Sequence, residues 1–277
     1  MKKNVFLLPL LAVISLSGCG IKMPETESEK VSETQESKSS NITSTTTSSN
    51  SGSTPTSDYS GKYYDNIDSS KSGNALLSEL QTLMFSTHKK YCSYGEIRYE
   101  FKKSDKDPNK SGNIICFYSH QSINGTWDAG TTYNREHVWP KANSNNLFKS
   151  VDNSYSGAGS DLHHVRPAIT SINEDRGNQK FGNYIPNDNV KGDCARIIMY
   201  LYTHYASSLS GTGSLKATYA GNLSLTSVFT NTNLIKEWNR IDPVDELEKN
   251  RNEYCYTHQG NRNPFIDHPE WVEKALG

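Results

Sequence analysis

Neither sign of charge dominates this chain: 29 Lys and Arg stand against 30 Asp and Glu in 277 residues. A module that holds a polyanion by bulk electrostatics would carry a clear basic excess, so that class is excluded. Long apolar runs are scarce too. One run, Val5 to Leu16, is too short to span a bilayer comfortably and follows Lys2 and Lys3, the pattern of a targeting segment. Cysteine is sparse, and none of Cys19, Cys92, Cys116, Cys194 and Cys255 forms a CxxC pair. No His/Cys spacing suggests zinc. No internal repeat and no second linker interrupts the chain.

The apolar run ends in Leu16-Ser17-Gly18-Cys19, which looks like a bacterial lipobox. Residues 1–19 are therefore expected to be a lipoprotein signal peptide. Cys19 would carry lipid, so that the chain meets the membrane through that lipid alone, on its outer face. An ordinary cleaved signal peptide, with release from the cell, is the alternative. Residues 20–58 are rich in Ser and Thr and nearly devoid of apolar side chains. Such a segment cannot bury enough surface to offset its chain entropy and reads as a disordered stalk. Residues 59–277 suffice for one domain with a proper core. Outside the cytoplasm disulfides are allowed, but four cysteines permit three pairings, and buried free thiols fit equally well.

Within the domain, Ala75 to Phe85 carries a helical stripe of apolar residues, and Leu234, Ile235 and Trp238 mark another helix. Asp193 is placed to cap a helix from Cys194 to about Ala206. Asp242-Pro243 reads as an N-cap with Pro at the first helical position, opening a helix through about Tyr256. From Ile97 to Trp127, short apolar runs broken by Gly, Asn and Pro suggest strands or loops. The expected class is α+β, a single mixed domain whose chemistry lies in an irregular middle between helical ends.

That middle holds Tyr133-Asn134-Arg135-Glu136-His137-Val138-Trp139-Pro140, then Ser160-Asp161-Leu162-His163-His164-Val165-Arg166-Pro167, then Asn173-Glu174-Asp175-Arg176-Gly177-Asn178. A Glu-His pair alone is commonplace on protein surfaces; its company makes it informative. Hard oxygen donors such as Glu136 and the Asn173 amide suit a magnesium-like cation, which needs few protein ligands. His137 titrates near neutrality and can take a proton from water. Neighbours on a strand point to opposite faces, so Glu136 and His137 can share a site only if the strand ends there, as Pro140 suggests. Arg176 could brace a phosphate oxygen or the leaving group.

Taken together, these blocks, with Phe181-Gly182, Trp238, Asp242-Pro243-Val244-Asp245 and Gln259-Gly260-Asn261-Arg262-Asn263-Pro264-Phe265-Ile266-Asp267, resemble the endonuclease I family of bacterial extracellular and periplasmic nucleases. The likeness is collinear over most of Tyr64 to Trp271. That family belongs to the His-Me finger, or ββα-metal, nucleases. The resemblance implies a two-stranded ribbon and one helix around a single divalent ion, surrounded by helices. It assigns Glu136 and Asn173 to the metal, His137 to the general base and Arg176 to catalysis. Arg135, Asp161, His163, His164, Arg166 and Asn178 become substrate-side or supporting residues. Asp161 to His164 would form the second strand of the finger and Asn173 to Arg176 its helix. The ion would be magnesium, with manganese or calcium as alternatives. The substrate would be DNA, and RNA as well, cut to 5′-phosphate and 3′-hydroxyl ends. No protein partner is evident.

The sequence departs from that pattern in two places. Gly159 stands where some relatives have Glu, and His164 stands where the common motif has Asn. A surface lipoprotein that binds without chemistry is a rival reading. So is a zinc hydrolase using His137, His163 and His164.

Overall fold

The computed structural model describes residues 61–277; the signal peptide, Cys19 and the stalk expected over 20–58 lie outside the described residues. In chain order the elements are α1 (Gly73–Thr87), α2 (Tyr94–Ser104), β1 (Asn113–Ile115), β2 (Ser122–Asn124), β3 (Tyr133–His137) and β4 (Val165–Ile169). The helices α3 (Thr170–Arg176), α4 (Asp188–Tyr205), α5 (Lys216–Tyr219), α6 (Asn233–Ile241), α7 (Glu246–Gln259), α8 (Pro264–Asp267) and α9 (Glu270–Leu276) complete the chain. This is the α+β class expected.

Helix α4 is the hub, with Val190, Ala195, Ile198, Met199, Tyr200 and Leu201 all buried. Helices α1, α6 and α8 pack on it. Leu76, Leu77, Leu80 and Met84 of α1 sit in the same large apolar core, together with Trp238 of α6 and Trp271 of α9. A second, smaller core joins Ile97 and Phe101 of α2 to Tyr133, Leu162 and Val165. It lies against the pair β3–β4, so the ribbon rests on α2, while Ala168 of β4 reaches the larger core.

Strands β3 and β4 are antiparallel, pairing Tyr133 with Ile169, Glu136 with Arg166 and His137 with Val165. Helix α3 starts at the residue after β4, and its end is set by Gly177 at φ +52°, a conformation that disfavours a β-carbon. The unit β3–β4–α3 is the expected ββα arrangement, with one shift. Asp161 to His164 form the turn ahead of the strand, not the strand itself, because Asp161 accepts the backbone N–H of His163 and its carbonyl accepts those of His164 and Val165.

Other boundaries moved as well. Ile97 begins no strand: α2 is a helix opened by a capping box in which Ser93 and Glu96 satisfy each other's N–H groups. Helix α4 begins at Asp188 and carries Asp193 inside it, buried beside Arg196 and Arg166. Helix α7 is capped by Asp245, which accepts the Glu248 N–H, rather than by Asp242, and extends to Gln259. All four described cysteines are free, with Cys116, Cys194 and Cys255 buried.

Candidate active site

Strand β3 ends at His137, so the two neighbours Glu136 and His137 both line one cavity of about 270 Å³. Asn173, from α3, lines it too, with Tyr94, Arg135, Lys141 and Asn178 around the rim. Three larger clefts, of about 530, 430 and 370 Å³, contain none of Glu136, His137 and Asn173. Size is a poor guide here; the chemistry sits in the small polar cavity.

Glu136 is buried and accepts a 2.7 Å hydrogen bond from the Tyr118 hydroxyl on Oε1, with Arg176 Nε 3.5 Å from the same oxygen. Burial pushes its carboxyl up to about 7, against the opposing pulls of Arg176 and Tyr118. Its charge is thus incompletely balanced. The backbone N–H of His137 also favours the ionised carboxylate. Tyr118 itself adopts φ +63°, an uncommon conformation for a large residue. Its carbonyl is held by Asn187.

Asn173 Nδ2 donates to Asn134 Oδ1. That leaves the Asn173 amide oxygen without a hydrogen-bond partner among the described residues. An unpartnered amide oxygen and a half-compensated carboxylate at one cavity form a hard-oxygen donor pair, and this fits a divalent cation.

His137 Nε2 lies 2.8 Å from the carbonyl of Gly159. A carbonyl can only accept, so Nε2 carries the proton and Nδ1 keeps its lone pair. The ring is stacked near Tyr94 and Phe148 and meets His164 edge-on. Burial, then the neighbouring His164, holds its pKa well below 6.5. The imidazole therefore stays neutral to lower pH than the ordinary histidine range the sequence suggested. A side chain at 159 would place its Cβ 2.7 Å from that of Phe148, so this packing excludes the Glu found there in some relatives.

The remaining motif residues fall behind the cavity. His164 donates from Nδ1 to Ala158 and accepts the Trp139 N–H on Nε2, at 3.1 Å each. It thereby holds the segment that presents the Gly159 carbonyl. His163 bonds the Asn261 carbonyl. Asp161 is fully buried and accepts from the His163 N–H, Gln259, Tyr200 and Tyr205. Arg166 pairs with Asp105. Arg176 has no exposed surface: it donates to the carbonyls of Val138 and Gly177 and flanks Glu136. As it stands, it orients the carboxylate rather than facing a phosphate.

His137, His163 and His164 do not converge, which removes the zinc-triad arrangement. The one grouping of ligating atoms found among the described residues is His88, Asp161 and His204, within 4.8 Å of one another and wholly buried. Asp161 already accepts four hydrogen bonds there, so a cation would have to displace them.

Tyr118, Asn134, Tyr94 and the Gly159 carbonyl were not found from sequence. Asn134 had a signal, since it lies two residues before Glu136 and hence on the same strand face. The others are far in sequence and had none.

Comparison with known proteins places these features in context. The sequence model of the family described as Endonuclease I matches residues 72–185 and 183–270. An extracellular ribonuclease of Bacillus amyloliquefaciens is 38% identical over 234 residues, covering 74% of this chain and 75% of that protein. An extracellular ribonuclease of Bacillus subtilis is 35% identical over 240 residues, covering 76% and 77%. A periplasmic deoxyribonuclease of Aeromonas hydrophila is 25% identical over 188 residues, covering 64% and 77%.

Proposed function

The chain belongs to the endonuclease I family and is a nuclease, and from that premise we propose a metal-dependent, largely sequence-nonspecific endonuclease that acts outside the cell on DNA and RNA. The observation that carries this reading is the meeting of Glu136, His137 and Asn173 at one cavity. A binding lipoprotein without chemistry would have no need of such a set.

His137 takes the proton of the attacking water on Nδ1, while its Nε2–H stays on the Gly159 carbonyl. The water oxygen bonds to phosphorus as the bond to the 3′ oxygen breaks. That oxygen acquires a proton, leaving a 5′-phosphate and a 3′-hydroxyl. Glu136 and Asn173 would hold one divalent cation, magnesium by donor type, which polarises the phosphate and steadies the leaving oxygen. Tyr118 and Arg176 fix the Glu136 carboxylate, and Asn134 fixes the Asn173 amide. Arg135, Lys141 and Asn178 line the approach for the nucleic acid.

Both substrates are proposed because the two Bacillus relatives are named ribonucleases and the Aeromonas one a deoxyribonuclease. The extracellular setting rests on the names of those relatives and on the leader. A lipid on Cys19 is part of the proposal, and labelled fatty acid should enter the wild type but not Cys19→Ala.

The test of activity is supercoiled plasmid and a structured RNA incubated with magnesium or with EDTA, alongside His137→Ala. Magnesium-dependent cutting lost in the variant is the expected result. A folded wild type that cuts neither, with magnesium, manganese or calcium, would overturn the reading.

A further inference from the structure

We propose that an alternating strip of aromatic rings and guanidinium groups, Tyr94–Arg135–Trp127–Arg98–Tyr99, carries the single-stranded part of the nucleic acid away from the cavity. This rests on the nuclease reading and adds where the strand runs and in what form.

The strip is assembled from three elements. Tyr94 and Arg98 stand one helical turn apart on α2, with Tyr99 beside them. Arg135 lies on β3, and Trp127 comes from the loop before it. Tyr94 starts the strip inside the cavity, stacked near His137. The Arg135 guanidinium lies 3.7 Å from the centre of the Tyr94 ring and 5.4 Å from that of Trp127. The Arg98 guanidinium continues it, 6.0 Å from Trp127 and 4.9 Å from Tyr99. Trp127 is steadied edge-on by the buried Tyr133. Tyr99, at the far end, is 58% exposed, the most open large apolar side chain among the described residues.

Charge supports the same path. The chain has eight arginines. Arg166, Arg176, Arg196, Arg240, Arg251 and Arg262 each pair with a carboxylate. The two with no carboxylate partner among the described residues are Arg98 and Arg135, both in this strip. Arg135 donates only to the Tyr94 carbonyl and the Asn153 amide oxygen. The nearby Asp128 accepts the N–H groups of Thr131 and Thr132 in its own turn. In a chain of balanced charge, two uncompensated guanidiniums beside the cavity are a local cationic feature suited to phosphate.

Aromatic faces and guanidinium planes both stack on bases, and they can do so only where bases are unpaired and splayed out. A duplex already stacks its bases internally and would offer this strip only phosphates. The arrangement therefore favours a single strand, whether RNA or DNA.

The experiment is fluorescence anisotropy of the full chain in EDTA, with a labelled oligothymidylate of about a dozen nucleotides, a length suited to such grooves, and with a duplex of equal length. Tyr99→Ala should weaken single-strand binding about fivefold to tenfold, in the range of one lost stacking contact. Its exposure separates binding from folding, and circular dichroism checks this. Trp127→Leu should act in the same way, and Arg98→Gln should flatten the salt dependence. Duplex binding should change less. Unchanged single-strand binding in Tyr99→Ala and Arg98→Gln, or equal loss for the duplex, would overturn the strip. Because the readout needs no cleavage, a chain that binds through Tyr99 but never cuts would overturn the nuclease reading and leave the strip standing.

Discussion

Glu136 and Asp161 are both buried acidic residues, both come from histidine-bearing motifs, and both have tyrosine hydroxyls bonded to them. Their surroundings differ in what is left over. Asp161 accepts on both oxygens, from a backbone N–H, Gln259, Tyr200 and Tyr205, and its carboxyl is held well below the usual range despite burial. Glu136 has Tyr118, Arg176 and the His137 N–H beside it, yet burial still pushes its carboxyl up to about 7. A saturated carboxylate is a structural knot; an under-satisfied one invites a cation. The histidines follow the same division. His163 and His164 spend ring nitrogens on the backbone, whereas His137 keeps Nδ1 for chemistry.

The sharpest way to break that comparison is to remove one member from each side. His137→Ala should lower kcat by about 10²–10⁴ with only a small change in the urea midpoint, measured by plasmid nicking and by unfolding. Asp161→Ala should do the reverse, costing about 3 kcal/mol or more of stability because several buried donors lose their acceptor. A variant of Asp161 that folds as firmly as the wild type would end the structural assignment.

Acid should act on the knot. His163 and His164 are each held down to about 4, burial being the main cause. The unfolded chain takes up these protons near pH 6.5, and the folded one resists until about 4. The contribution is therefore complete above pH 6.5 and is lost as pH falls toward 4. The urea midpoint should drop across that window, and a His163→Gln variant that still folds should show a shallower drop. A midpoint that stays level would count against buried neutral imidazoles.

A divalent cation distinguishes the two regions without any reference to turnover. Magnesium at a hundred times its dissociation constant should stabilise the wild type by about 2.7 kcal/mol, read as a rise in Tm. Glu136→Gln should abolish that rise and Asp161→Asn should keep it. The opposite pattern would move the ion to His88, Asp161 and His204. Smallest of all, Tyr118→Phe should cost about 1 kcal/mol of stability, and it should weaken the apparent magnesium affinity in a titration of activity.

How much of this was legible beforehand depends on distance along the chain. Glu136, His137 and Asn173 belong to blocks whose order and residue types already named the family, and the stop after His137 was foreseeable from Pro140. Asn134 could have been found from strand alternation. By contrast, Arg176 read as catalytic and Asp161, His163 and Arg166 as substrate-side or supporting, and their burial was not visible, because sequence reports residue type and not exposure. The α2 helix was missed because its stripe is thin; the Ser93–Glu96 capping box was the available clue. Asp193 and Asp242 misled because each is an acid near a helix start with other partners: Asp193 pairs with Arg196 and Arg166, and Asp242 accepts the Gly192 N–H.

By itself, the sequence determined the family, the mixed fold class and the strand–strand–helix unit, because these depend on local pattern and on collinear motifs. Tertiary structure alone decided which acids and histidines face the cavity and which are bonded into the core. Tyr118 reaches Glu136 across 18 residues and Gln259 reaches Asp161 across 98. The acceptor atoms left free, on which the chemistry depends, are what remains after such long-range bonds have been made.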